Sequence, residues 1–219
     1  MKAVLEKKHH LSYPFVFEHE GEYYMIPETA ENQTIELYKS ESFPFNWQWQ
    51  MNLMENVTAV DATLYFHSNK WWMFVNLTEN EGASSRDELF IFYSEELHSN
   101  NWQPHKKNPV VSNVKNARPA GAVFSINNKI YRPAQNSSHR YGYGLNLNHI
   151  ERLNEYQYQE KTITQIEPSW EKGLLACHSF SKVNQLYVID CLSNSLKPHL
   201  THSFTQRNNN AIRPTKSKQ

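Results

Sequence analysis

Polar residues able to do chemistry recur at one place in a repeated pattern. Tyr13 and Glu28 bracket the segment YPFVFEHEGEYYMIPE, and Asp61 and Asn76 bracket DATLYFHSNKWWMFVN. Arg118 and Gln135 bracket RPAGAVFSINNKIYRPAQ, while His178 opens HSFSKVNQLYVIDC, which ends on Asp190 and Cys191. Two carboxyl groups, Glu28 and Asp61, are the minimum set for most glycosidic bond hydrolysis. Glu28 could serve as acid or base if burial raised its pKa, and Asp61 could accept sugar hydroxyls or tune a neighbour. Arg118 could hold an anionic or hydroxyl-rich ligand, or pair with either carboxylate. Tyr13, Arg132, Gln135, Tyr141 and His178 are candidate hydrogen-bonding neighbours in substrate binding. A single polar residue at a strand end is more often merely solvated. Convergence of several at equivalent places favours a site.

The elements that must position these residues are hairpins. Each segment reads as an apolar strand, a tight polar turn and a second aromatic strand, with Asn, Gly or Ser at the turn where positive φ is required. Glu22, Lys70, Lys129 and Gln185 stand just after the four turns, 48, 59 and 56 residues apart. That spacing fits blades of a β-propeller with loop insertions. Weaker strands at 34–40 and 88–94, each followed by a Trp-bearing loop at Trp47 or Trp102, would complete four-stranded blades. Residues 150–153 read as a short turn. A hairpin brings the start of its first strand beside the end of its second, so the polar ends would line one mouth of the central channel. The expected fold is an all-β propeller of about four blades over residues 1–205, followed by a disordered basic tail at 206–219.

Composition narrows the function classes. Among 219 residues, Lys plus Arg number 22 and Asp plus Glu 22, which gives no basic footprint for nucleic acid. No apolar run approaches a membrane span. The opening MKAVLEKKHH lacks the apolar core of a signal peptide, so the expected compartment is the cytoplasm. Six Trp and twelve Tyr suit both core packing and sugar stacking. Cys177 and Cys191 face each other across the last hairpin and could form a disulfide. Two buried thiols are the cytoplasmic expectation. No metal-ligand spacing is present, and the pair His9–His10 is weak evidence for one; neither metal nor cofactor is implied.

The motifs HLSYPFVFEHEGEYYMIPET, VDATLYFHSNKWWMFV, ARPAGAVFSINNKIYRPAQ and YGYGLNLNHIERL together resemble the five-bladed propeller domain at the N-terminus of plant glucosamine inositolphosphorylceramide transferases. That domain is similar to family 43 glycoside hydrolases. The resemblance covers residues 9–192 and implies a carbohydrate or glycoconjugate context. It also implies a further blade before HLSYP, of which this chain would hold only the last strand. By blade order, Asp61 falls where such hydrolases keep a pKa-tuning Asp and His178 where many keep a His. Arg118 takes the place of their Glu general acid, and an arginine cannot protonate a leaving group near neutral pH. The expected function is therefore a carbohydrate- or glycoconjugate-recognising propeller, an accessory module of glycan assembly. The alternatives are a glycoside hydrolase using Glu28 and Asp61, or part of a glycosyltransferase, and a protein-interaction propeller using the aromatic loops at Trp47, Trp49 and Trp102. An unclosed blade edge would favour self-association.

Overall fold

The computed structural model describes residues 3–78 and 84–194. The tail expected at 206–219 lies outside the described residues. The first sheet is a meander of β1 (Ser12–His19), β2 (Glu22–Thr29), β3 (Thr34–Ser42) and β4 (Phe45–Glu55). The second holds β5 (Ala59–His67), β6 (Lys70–Leu77), β7 (Glu88–Ser94) and β8 (Gln103–Pro104), with β9 (Val111–Ser112) also paired to β7. The third runs β10 (Phe124–Ile126), β11 (Lys129–Asn136), β12 (Gly144–Leu153) and β13 (Tyr158–Ile166). The fourth is the hairpin β14 (Leu174–Val183) and β15 (Leu186–Ser193). These are the four repeat units of a β-propeller, with three full meanders and one hairpin among the described residues.

Turn chemistry explains the hairpins. Ser68 and Asn69 sit at φ 52° and 59°, and Asn127 and Asn128 at 50° and 61°. Glu20 and Gly21 do the same in the first sheet, at 53° and 81°. Positive φ at both central residues is the turn whose twist matches that of paired strands.

The sheets stack through their apolar faces. Phe15, Tyr24 and Leu37 of the first pack on Leu64, Trp71 and Met73 of the second. Trp72, Phe74 and Ile91 meet Val123 and Ile150 of the third, and Leu145 meets Cys177 and Phe180 of the fourth. First strands also bond to one another across blades. Tyr13 reaches Thr63 at 3.0 Å, Tyr65 reaches Ser125 at 2.6 Å, and the Phe180 amide donates to the Ala120 carbonyl at 2.7 Å.

Three expectations need correction. Residues 150–153 form the end of β12 rather than a turn, because the pairing with β13 continues from Ile150↔Glu160 to Leu153↔Tyr158 past a bulge. Trp47 and Trp49 stand on β4, opposite Ser40 and Tyr38, not in a loop. Residues 3–11 form no strand; Leu5 packs on Met25, Tyr38 and Trp47 instead.

Candidate functional site

Each hairpin is disturbed at the same place. Ser12 pairs with Glu28, but the next partners are Phe15 and Ile26, so Tyr13 and Pro14 together oppose Pro27. The same shift leaves Asp61 and Ala62 opposite Val75, and His178 and Ser179 opposite Asp190. In the third unit the interruption is longer, between Pro119↔Ala134 and Phe124↔Tyr131. Such bulges re-aim a side chain out of the ladder. Tyr13 and Asp61 adopt left-handed φ of 40° and 55°, which is costly for a residue as bulky as tyrosine and is held by the surrounding structure. The bulges turn Tyr13, Asp61 and His178 out of register with their sheets, and Arg118 precedes the third interruption.

Asp61 is the best-anchored member, only 2% exposed. Its Oδ2 accepts from Arg118 Nε at 2.6 Å and from Gln135 Nε2 at 3.0 Å. Gln135 Nε2 also donates to the Pro119 carbonyl at 3.0 Å. Arg118 Nη2 lies 3.9 Å from Glu28 Oε2, and Nη1 makes a 3.5 Å contact with the Ser85 carbonyl. One guanidinium therefore spans carboxyl groups from two other blades. Burial, then the neighbouring Asp61 carboxylate, push the Glu28 carboxyl above its ordinary range, against the pull of Arg118. Burial and Asp61 likewise raise the Tyr13 hydroxyl.

Tyr141 lies over this group. Its ring centre is 5.0 Å from the Arg118 guanidinium and 5.5 Å from that of Arg86, and its hydroxyl meets His178 Nε2 at 2.8 Å. The bulge amide of His178 donates to Asp190 Oδ1 at 3.1 Å, and Ser179 donates to the same oxygen. Tyr141 is 46% exposed and the His178 side chain 35%, so the group opens to solvent on this side.

Of the residues singled out from sequence, the structure brings together Tyr13, Glu28, Asp61, Arg118, Gln135, Tyr141 and His178. Arg132 stands apart. It is buried between β11 and β13, donating to Glu160 at 2.9 and 2.7 Å and to the Asn116 carbonyl at 2.5 Å. Tyr158 donates to the same carboxylate, so Arg132 belongs to an internal ion pair and does not reach the mouth. Arg86, Thr63 and Asp190 belong to the group without having been singled out as site residues. Arg86 and Thr63 occupy no repeated hairpin-end position; Asp190 did, as the partner expected for His178. Cys177 and Cys191 are register partners, yet both are free thiols, and Cys191 is exposed rather than buried.

This architecture, consecutive antiparallel sheets packed face to face with a bulge in their first strands, is that of a β-propeller. Two solved structures share the fold. One is a GH43 β-xylosidase/α-arabinofuranosidase from a compost microbial metagenome, with TM-score 0.58 and 11% identity, over 90% of this chain and 78% of that one. The other is an exo-β-1,3-galactanase from Phanerochaete chrysosporium, with TM-score 0.57 and 10% identity, over 84% and 44%. At such identities the likeness is one of fold. The narrower assignment comes from sequence. Residues 1–189 match the family described as glucosamine inositolphosphorylceramide transferase 1, N-terminal, and the chain belongs to that family. It is similar to glucosamine inositolphosphorylceramide transferase 1 of Oryza sativa subsp. japonica, 35% identical over 158 residues. The Arabidopsis thaliana protein of the same name is 33% identical over 158 residues. The match takes in 71% of this chain and 20–21% of those proteins, so the chain spans about a fifth of the curated relatives' length.

Proposed function

We propose that the chain is a carbohydrate- or glycoconjugate-recognising propeller, acting as an accessory module of glycan assembly and binding without turnover. The observation that carries this reading is the state of Asp61. Its carboxylate is buried and committed to Arg118 and Gln135. Hydrolysis needs two carboxyl groups facing a glycosidic bond. Here the two carboxyls lie in hydrogen-bond contact with each other and against the same Arg118, which leaves no sugar-sized gap between them. The family assignment and the fold shared with glycoside hydrolases support a glycan context. A protein-interaction role through Trp47, Trp49 and Trp102 is less favoured, since Trp47 and Trp102 are core residues and Trp49 alone of the three is exposed.

The test is a glycan array with the 219-residue protein, followed by calorimetry on the best binder and by product analysis. Saturable binding that His178→Ala and Tyr141→Ala abolish, with the glycan recovered intact, is the expected result. Cleavage that Glu28→Gln abolishes would establish the hydrolase instead.

A further inference from the structure

We propose that β15 is the surface through which two copies of this chain associate, their free strand edges pairing antiparallel about a two-fold axis. The first three sheets each extend outward to a third and a fourth strand, whereas among the described residues the fourth sheet stops at β15. An unpaired edge is a template for another strand, and proteins blunt such edges with bulges, prolines, charges or short length. The other outer strands are blunted in these ways. β4 carries the extra residues Leu53 and Gln50 against β3, and β13 carries Ile163 against β12. β8 is two residues long and ends on Pro104. β15 is left plain. In its pairing with β14 the extra residues, Leu175 and one of His178 and Ser179, lie in β14, so β15 runs regularly over Leu186–Ser193. It holds no proline, lysine or arginine. Its one charge, Asp190, is turned back onto the His178 and Ser179 amides of β14.

The strand is complementary to itself, which identifies the occupant as a second copy. Tyr187 and Ile189 pack toward the third sheet. Leu186, Val188, Asp190 and Leu192 alternate with them on the opposite face, where all three apolar side chains are exposed. Antiparallel partners share a face, so a two-fold must pass opposite a residue rather than between two. Centred on Asp190 it would oppose two carboxylates, which is destabilising. Centred on Val188 it would set Leu186 against Asp190. Centred on Ile189 it sets Leu186 of one copy against Leu192 of the other, twice, and keeps the two Asp190 side chains apart. The joined sheet then has four strands, the number in the first and third sheets, and its two apolar stripes become one. Because the strands run oppositely, the mouth end of one hairpin lies beside the turn end of the other. The two mouths of the dimer therefore face opposite sides.

The experiment is sedimentation equilibrium on the full chain. Its mass should rise with concentration from 25.8 kDa toward twice that value. Leu192→Lys removes an apolar pair that the two-fold repeats, and should weaken association at least about tenfold. Charge then tests the register. L186E/L192K places opposite charges across the axis, twice, and should associate at least about tenfold more tightly than L186K/L192K, which places like charges there. Both positions are exposed, so circular dichroism should find every variant folded. A wild-type chain that stays monomeric up to about 100 μM would overturn the proposal. So would a dimer indifferent to Leu192→Lys, or equal association of the two double variants. Each of those outcomes leaves glycan recognition standing, because the proposal does not rest on it.

Discussion

Replacing Asp61 by Asn removes the charge at the centre of the group while keeping side-chain shape. It also keeps a residue type that tolerates the φ of 55° found there. Arg118 then loses its 2.6 Å carboxylate partner, and its side chain is only 9% exposed. Breaking a buried pair by removing one partner costs about 3–5 kcal/mol, because the remaining charge stays desolvated. Glu28, at 3.9 Å from Nη2, can serve as a partial counter-charge, which places the cost near the lower end, about 3 kcal/mol. In a chain of this size that corresponds to a fall in Tm of roughly 6–12 °C. The assay is urea unfolding of the wild type, Asp61→Asn, Arg118→Met and the double variant. Arg118→Met leaves two neighbouring carboxyl groups without their cation and should cost at least as much. The double variant should be less destabilised than the two singles combined by about 2 kcal/mol, since neither partner is then stranded. A cost below about 1 kcal/mol for Asp61→Asn, or additivity within about 0.5 kcal/mol, would refute the view that this pair organises the mouth.

Arg132→Met should destabilise by about 3 kcal/mol through the stranded Glu160 carboxylate, yet leave glycan affinity unchanged; calorimetry on the folded variant checks it. Glu28→Gln should alter the pH dependence of stability. Because the folded state raises the Glu28 pKa, the wild type loses stability as pH climbs from the ordinary glutamate range through the raised value. The variant lacks that loss, so its Tm should converge with wild type near pH 4 and gain on it toward pH 8; a difference constant with pH would exclude the mechanism. Gly121→Ala should unfold the contact between third and fourth units. A methyl there would lie 1.9 Å from the Phe180 carbonyl oxygen at a φ of 140°, and thermal melts should show a loss of more than about 2 kcal/mol. Burial pushes the Cys177 thiol up to about 12, whereas Cys191 is exposed, so native-state alkylation should modify Cys191 first and Cys177 only on unfolding.

The hairpins were legible because local chemistry dictates them. Asn69, Asn127, Asn128 and Gly21 mark turns that need positive φ, and the alternating apolar residues on either side leave little choice of pairing. Counting outward from Asn184 gives Cys177 opposite Cys191, as found, because the bulge at His178 and Ser179 offsets a turn centred between Asn184 and Gln185. In the other hairpins the bulge defeats the counting. It pairs Tyr13 with Glu28 and Asp61 with Asn76, whereas the ladder pairs Ser12 and Val60 with them. A bulge is an extra residue, and nothing in YPF or DAT announces it. Arg132 failed for a different reason. Its partner Glu160 is 28 residues away on β13, and no local pattern shows that this arginine reaches across its own sheet to that strand rather than to the mouth.

The group divides by burial into residues that hold the mouth open and residues that face it. Asp61, Gln135 and Arg118 are buried and joined by short bonds, so changing them is felt first as stability. Tyr141, His178 and Arg86 are solvent-accessible and can change at small cost to folding. Chemistry on this scaffold is then set by the second group and by which carboxyl groups the first releases. An arginine at position 118 satisfies Asp61 internally and turns its remaining nitrogens toward Glu28 and the Ser85 carbonyl. An acidic residue there would repel Asp61 and raise the pKa of one partner, the arrangement that general acid catalysis requires. The sign of the charge at this one position decides whether Asp61 is neutralised within the fold or drives up the pKa of a neighbouring acid.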